Sequence, residues 1–454
     1  MTRRYILPLV MLLNACVPVS QSDTPSRSVI AETTLPPMKS FAARAPTGRV
    51  VSNQDLARDF LDLTFEMESG RQLAVFTRFE GPVSLRVTGQ PGPTLMPDLR
   101  ALLSRLKSEA GLNVSLTPQG DANITIQAVP RSAIRKILPQ AACFVAPNVS
   151  SLNEFRKFRR NPRTNWALLT ARETLAIFVP NDASPQEIRD CLHEELAQAL
   201  GPLNDLYRLP NSVFNDDNVH TVLTSFDMLI LRATYAPEIT TGMTRAQVAE
   251  RLPGILARIN PQGQFTGQKR ASRTPQTYNR AIQTALGPGA SSAVRRKAAD
   301  DAINIAVSQG WTDNRRAFAH YAKGRLLQAT NGFEARQQYI LADRFYASSS
   351  ATRLHRAYVA TQLAAYALAA GDPAQARRMV TPYIDVARGS QNAALLATLQ
   401  LLRVAALNAE GRTREANALR LDSLGWARYG FGADWAVRAK LNEIAALSPV
   451  PPPA

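Results

Sequence analysis

Three stretches in the C-terminal half of the chain recur: 332-GFEARQ-337, 371-GDPAQA-376 and 411-GRTREA-416. Each follows an apolar, alanine-rich run, places a glycine at the turn and opens a second run. The glycines are 39 (371 − 332) and 40 (411 − 371) residues apart. A helix–turn–helix unit of that length cannot bury its apolar face alone and must stack on its neighbours. Residues 291–447 are therefore expected to form an all-α helical repeat, a solenoid of about four helix pairs. Its concave face would suit a protein or peptide partner. The tail 448–454, 448-SPVPPPA-454, reads as disordered, and the polar stretch 263–290 as a linker.

Ahead of the linker, residues 53–262 mix two periodicities and predict an α/β (α+β) domain. 83-VSLRVTG-89 alternates like a strand, and 97-PDLRALLSRLKSEAG-111 carries Leu99, Leu102, Leu103 and Leu106 on one helical face. 113-NVSLTP-118 and 122-ANITIQAVP-130 read as strands joined by a hairpin-like turn at 119-QGD-121, and 174-TLAIFVP-180 as a further strand. The clearest helix is 184-SPQEIRDCLHEELAQALG-201. Ser184 is placed to cap it, Pro185 fits its first position, Glu187 would close a capping box and Gly201 ends it. A further helix is expected after Thr224, and 253-PGILARINP-261 closes the domain.

The N-terminus reads as a targeting segment. Arg3 and Arg4 precede the apolar run 5-YILPLVMLL-13, which is too short to span a bilayer. The following 13-LNAC-16 resembles a bacterial lipobox. That resemblance implies a signal peptide at 1–15, a lipid on Cys16, a disordered lipidated tether at 16–52, and membrane attachment through the acyl chains. Val17 after the cysteine points to the outer membrane, so the expected location is the periplasmic face of the cell envelope. Only Cys143 and Cys191 then remain, and in an oxidising compartment they are expected to form a disulfide. The formal charge of +17 falls to +15 (17 − 2) without Arg3 and Arg4. Outside 156-RKFRRNPR-163 and 269-KRASR-273 the basic residues are dispersed and lie on no nucleic-acid-binding motif. They read as a solvated surface, and no nucleic-acid partner is expected.

Within 191-CLHEELAQALGPLND-205, His193-Glu194 opens like H-E-x-x-H, but Ala197 stands where the second histidine belongs. On a helical wheel Leu192, Leu196, Ala199 and Leu200 form an apolar side, and Glu194, Gln198 and Gly201 lie together on another. One residue later in frame, Glu194-Glu195-x-x-Gln198-x-x-Gly201-x-x-Asn204-Asp205 has the spacing of the metzincin zinc-protease motif. By that resemblance Glu194, Gln198 and Asn204 occupy metal-ligand positions, Glu195 that of the catalytic general base, and Gly201 the turn. The order strand, helix, strand, strand, edge strand, motif helix also resembles the N-terminal part of a metzincin. 212-SVFNDD-217 stands near the Met-turn position, with Phe214 for the methionine.

The series C-x-x-E-E-L-x-Q-x-L-G-x-x-N-D, S-x-F-N-D, L-T-x-x-D and P-x-x-x-x-G-M, ending at Met243, is similar to the domain of unknown function family numbered 2927 over about residues 55–262. The helical half resembles tetratricopeptide-type repeats, with a longer period and without their signature aromatics. The chain has four histidines, His193, His220, His320 and His355, and the last two fall in the repeat region. A three-histidine site in the first domain is thereby ruled out. No cofactor is expected: zinc is disfavoured, while an oxygen-ligand cation such as Mg, Ca or Mn stays open. No nucleotide loop and no Ser-His-Asp or Cys-His arrangement is evident. The expectation is a binding or scaffolding lipoprotein whose degenerate cleft takes a peptide or peptidoglycan. The alternative is a hydrolase, acting on peptides or cell wall, with Glu195 as general base at an atypical metal site.

Overall fold

The structure, a computed structural model, describes residues 35–42, 51–118, 120–267 and 271–447. The expected signal segment 1–15, Cys16 and the tail 448–454 lie outside these. Among the described residues no helix is long and apolar enough to cross a membrane.

The first part of the chain builds a five-stranded mixed sheet with helices. In chain order it contains α1 (Asn53–Thr64), β1 (Val83–Gly89), α2 (Leu95–Arg105), β2 (Val114–Leu116), β3 (Ile124–Val129), α3 (Arg131–Arg135), β4 (Phe144–Pro147), α4 (Leu152–Phe158), β5 (Leu175–Pro180), α5 (Pro185–Leu200), α6 (Ser225–Thr234) and α7 (Arg245–Ile259). The sheet order is β2-β1-β3-β5-β4. β1 pairs in parallel with both β2 and β3, β3 in parallel with β5, and β4 antiparallel with β5.

Two sequence expectations are corrected here. β2 and β3 form no hairpin, because β1 lies between them and both run parallel to it. The turn-like QGD therefore joins strands that are not neighbours. β5 is not an edge strand: every one of its residues is buried, and the antiparallel edge belongs to β4. Its continuous apolar run is what a strand covered on both faces requires.

The remainder is helical: α8 (Gln276–Leu286), α9 (Ser292–Ser308), α10 (Asn314–Leu327), α11 (Gly332–Tyr346), α12 (Arg353–Ala369), α13 (Pro373–Val380), α14 (Ile384–Gly389), α15 (Ala393–Ala409), α16 (Thr413–Phe431) and α17 (Asp434–Ala445). Helices close in sequence pack together, as α8 on α9, α10 on α11, α12 on α13 and α15 on α16. α8 lies inside the stretch read as a linker. Its polar composition hides an apolar seam of Tyr278, Ile282 and Ala285, all buried. The tether expectation is corrected at residues 35–42, which lie along α16. Phe41 stacks on Trp426 with centroids 4.4 Å apart, Lys39 N donates to Gly425 O, and the Lys39 ammonium pairs with Asp422. Pro253, read as part of a closing segment, sits inside α7.

The helical region is joined to the sheet domain by buried polar contacts. Gln186 Nε2 donates to Asn392 Oδ1 at 3.1 Å, Tyr429 Oη to Asp98 Oδ2 at 2.7 Å and Asn314 Nδ2 to Tyr207 O at 2.6 Å. His355 Nε2 donates to Asp217 Oδ2 at 2.9 Å with both side chains buried. Val219, from the loop after α5, belongs to the helical region's own apolar core. Gly432, at φ 84°, lets the end of α16 approach Ser184, where a Cβ would stand 3.1 Å from Ser184 Cα.

Cys143, just before β4, and Cys191 on α5 form a disulfide across 48 residues of chain. Removing it with Cys143→Ser and Cys191→Ser should cost about 2–4 kcal/mol by freeing a long loop in the unfolded chain. Denaturant unfolding of the oxidised protein against the double variant checks this. His355→Ala, which strips Asp217 of its partner from the helical region, should cost about 2–3 kcal/mol in the same measurement.

Candidate functional site

The site forms where α5 ends. Ser184 caps the start of this helix, its side chain accepting from Glu187 N. The Glu187 carboxylate is not shown closing the box; it pairs instead with Arg131 at 2.7 Å. At the other end, buried Arg172 donates to Gln198 O at 2.6 Å, Ala199 O at 2.7 Å and Gly201 O. One guanidinium thus satisfies the last carbonyls of α5 and opposes the negative end of the helix. Burial pulls Arg172 down to about 10. Gly201 is needed for space rather than for its backbone angle: a Cβ there would meet Thr234 Cγ2 of α6 at 3.0 Å.

The chain from 201 to 224 forms no helix or strand, yet most of it is buried. Two of the sequence motifs fasten it as a single lock. Asp227 of L-T-x-x-D accepts from Ser212 Oγ at 2.5 Å, Val213 N at 3.2 Å and Thr224 N at 2.7 Å. Burial pushes this carboxyl up to about 6 against those hydrogen bonds. Phe214, at the Met-turn position, is wholly buried.

His193 is buried and structural: its Nδ1 accepts from Leu223 N at 3.1 Å. Burial, with the Arg189 and Arg105 charges, holds it well below the usual imidazole range. His220 is held down to about 4 by burial, and its Nε2 donates to Pro210 O at 3.1 Å.

Of the residues expected from the motif spacing, Glu194, Glu195 and Asp205 are brought together. Glu194 is half-buried, and Glu195 and Asp205 are buried. Gln198 is half-buried one turn on from Glu194. Asn204 turns away to the end of α1, where its Nδ2 donates to Asp62 O at 2.9 Å.

Two further carboxyls complete the cluster. Asp216 accepts from Tyr207 Oη at 3.0 Å. Glu68 comes from the short excursion closed by the Glu66–Gln72 bridge, and its backbone oxygen accepts from Gln276 Nε2 at 3.2 Å. Asp216 sat inside a recognised motif without a role. Glu68 lies 126 residues from Glu194 (194 − 68), with no local signal to mark it.

The electrostatics of this cluster follow from burial without counter-charge. Burial pushes Glu194 up to about 8, with the Glu68 and Asp216 charges adding to it. Glu195 lies well above the ordinary range through burial and then the Glu194 and Glu68 charges. Asp205 is likewise raised by burial and by the surrounding carboxylates. Glu68 is exposed as a residue, but its carboxyl is crowded. That burial and the Asp216 charge push it up to about 7, opposed by a hydrogen bond with Asp205. Burial raises Asp216 as well. Glu195 Oε2 and Asp205 Oδ1 are buried with no hydrogen-bond partner among the described residues. Among the same residues none of these five carboxyls has a basic ion-pair partner, and no three His, Cys, Asp or Glu side chains form a group that could hold a metal ion.

The described residues thus form a mixed α/β domain that carries a cluster of five carboxyls, followed by a helical region. Residues 53–254 match the model of a family described as "Protein of unknown function (DUF2927)", which supports the resemblance carried by the motif series. No curated protein and no solved structure matches the chain.

The raised carboxyls make a signed prediction. With Glu194 at about 8 rather than 4.5, the folded chain keeps a proton that the unfolded chain loses first. Its stabilising effect is complete below the ordinary carboxylate range and is lost as pH climbs towards 8. Depressed His193 and His220 act in the opposite sense below their ordinary 6.5, so the difference between two proteins isolates the carboxyl. Glu194→Gln should gain on the wild type as pH rises from 5 to 8, by at most about 1.4 kcal/mol per pH unit, and level off above. Thermal melts of both proteins across that range check it.

Proposed function

We propose that this chain is an envelope-anchored binding module that holds a cationic or hydrogen-donating ligand, a peptide or peptidoglycan strand, in its carboxyl cleft. The carrying observation is the lack of counter-charge. The chain has a formal charge of +17, yet none of Glu68, Glu194, Glu195, Asp205 and Asp216 has a basic partner among the described residues. Buried carboxyls left unpaired cost stability, and a ligand that neutralises them recovers it.

The α/β domain is read as a metzincin-like scaffold whose helical ligand positions carry Glu194 and Gln198 in place of histidines. Support comes from the order of strands and helices up to α5, the motif spacing, and α6 entered through its Thr224–Asp227 capping box. The helical region is read as a tetratricopeptide-like solenoid that presents a docking face. Lipid on Cys16 would anchor the whole at the outer membrane.

One observation favours a second reading, hydrolysis. Glu195 Oε2 is buried and unpartnered, beside a Glu194 carboxyl raised to about 8. A carboxyl raised by burial in this way is suited to general acid–base work.

Incubating the full chain with isolated cell-wall sacculi separates the two. A binding module is retained in the pellet and releases no soluble fragments, and Glu194→Gln weakens its retention. Fragment release that disappears in folded Glu195→Gln would instead establish the hydrolase. Neither retention nor release would sink both readings of peptidoglycan as the ligand.

A further inference from the structure

A concavity borders the carboxyl cluster at Asp216. It lies between the loop at 207–219 and helices α8, α10 and α12, with a volume of about 430 Å³. That falls within the range of small-molecule sites, roughly 300–1,000 Å³. One wall is aromatic. Tyr207 and Phe318 lie 6.0 Å apart between centroids, and Phe318 and Tyr321 are stacked at 6.4 Å.

Of the charged groups that line it, two are already matched: Asp217 and His355 hydrogen-bond each other. The other two are not. Asp216 accepts hydrogen bonds from the Tyr207 hydroxyl and the Gln283 side chain, both neutral. Arg325, on α10, is exposed and has no carboxylate within ion-pair distance among the described residues. Burial raises the Tyr321 and Tyr339 hydroxyls, and the Arg325 charge opposes that rise at both, which places it beside the aromatic wall.

We infer that this cavity is a binding site for a zwitterion of dipeptide size, its ammonium held by Asp216 against the rings of Tyr207, Phe318 and Tyr321, and its carboxylate by Arg325. The chemistry of the wall selects these two ends. An aromatic face attracts a cation that a neighbouring carboxylate neutralises. A guanidinium with no partner offers a fork of donors that fits a carboxylate. A neutral sugar would leave both charges unmatched, and a simple anion would meet Asp216. The inference rests on reading the cleft as a binding site, and it adds a second pocket with its own ligand class.

The test is titration calorimetry at pH 7.5 on the full chain in detergent, with L-alanyl-L-alanine, its N-acetyl derivative and its C-terminal amide as probes. The free dipeptide should bind best, and N-acetylation and amidation should each weaken binding by about tenfold. Arg325→Ala, an exposed change on the surface of a helix, should bind the acid and the amide alike. Asp216→Asn should bind the free and the acetylated dipeptide alike, with thermal melts showing that both variants fold. No saturable binding of the dipeptide by the wild type overturns the inference, as does wild-type binding that ignores either modification. An acid-over-amide preference that survives in Arg325→Ala removes the role of Arg325 and overturns it too. Sacculus retention reads the carboxyl cluster and dipeptide titration reads this cavity, so the failure of one proposal is not mistaken for the failure of the other.

Discussion

Residues 201–224 must be buried without a helix or strand to satisfy their backbone, and most of the rest of the molecule is arranged around that requirement. Buried amides and carbonyls without ladder partners need side chains to meet them. Arg172 covers the carbonyls at the end of α5, and Asp227 gathers the amides of Val213 and Thr224. Asn204 and the amides of Leu203 and Asn204 close the end of α1. The helical region supplies what the sheet domain lacks: Asn314 reaches Tyr207 O, His355 reaches Asp217, and the core around Leu396 takes in Val219. The two regions of the chain therefore share one set of buried polar groups.

This sharing also concentrates negative charge. Arginine is abundant, and its buried examples are committed to structural carboxylates and carbonyls: Arg208 to Asp59 and Asp62, Arg105 to Glu109 and Leu223 O, Arg172 to the end of α5. The carboxyls of the cluster receive none of it, and burial raises all five above the ordinary carboxylate range, which eases the cost of keeping unpaired acids in a low-dielectric site.

Much of this was legible where the physics is local. The Ser184 cap and Gly201 stop of α5, the helix after Thr224 and the placing of Glu194, Glu195 and Asp205 all follow from spacings within one turn or one loop. The mixed sheet and the helical second half followed from a change of periodicity. What escaped notice depends on distant parts of the chain. The β2–β3 turn looked like a hairpin because nothing in its residues reports that β1 will insert between the strands. Glu68 reaches the site only because Gln276 and Arg273, from a stretch read as linker, hold its excursion in place. The α8 seam of Tyr278, Ile282 and Ala285 was masked by polar neighbours, and Phe41 by the Pro- and Ser-rich chain around it. Asn204 was assigned by counting from Gly201, but the unsatisfied end of α1 competes for its amide and wins.

The ordered stretch at 35–42 gives the molecule a mechanical property. Phe41 lies between Trp426 of α16 and the guanidinium of Arg189, which stands 5.5 Å from its ring centroid and 5.2 Å from that of Tyr429. Arg189 belongs to α5, the helix that carries Glu194 and Glu195 five and six residues further on. The clasp thus fastens residues 35–42 to α5 of the sheet domain and to α16 of the helical region at once, so a change that frees Phe41 loosens both helices together.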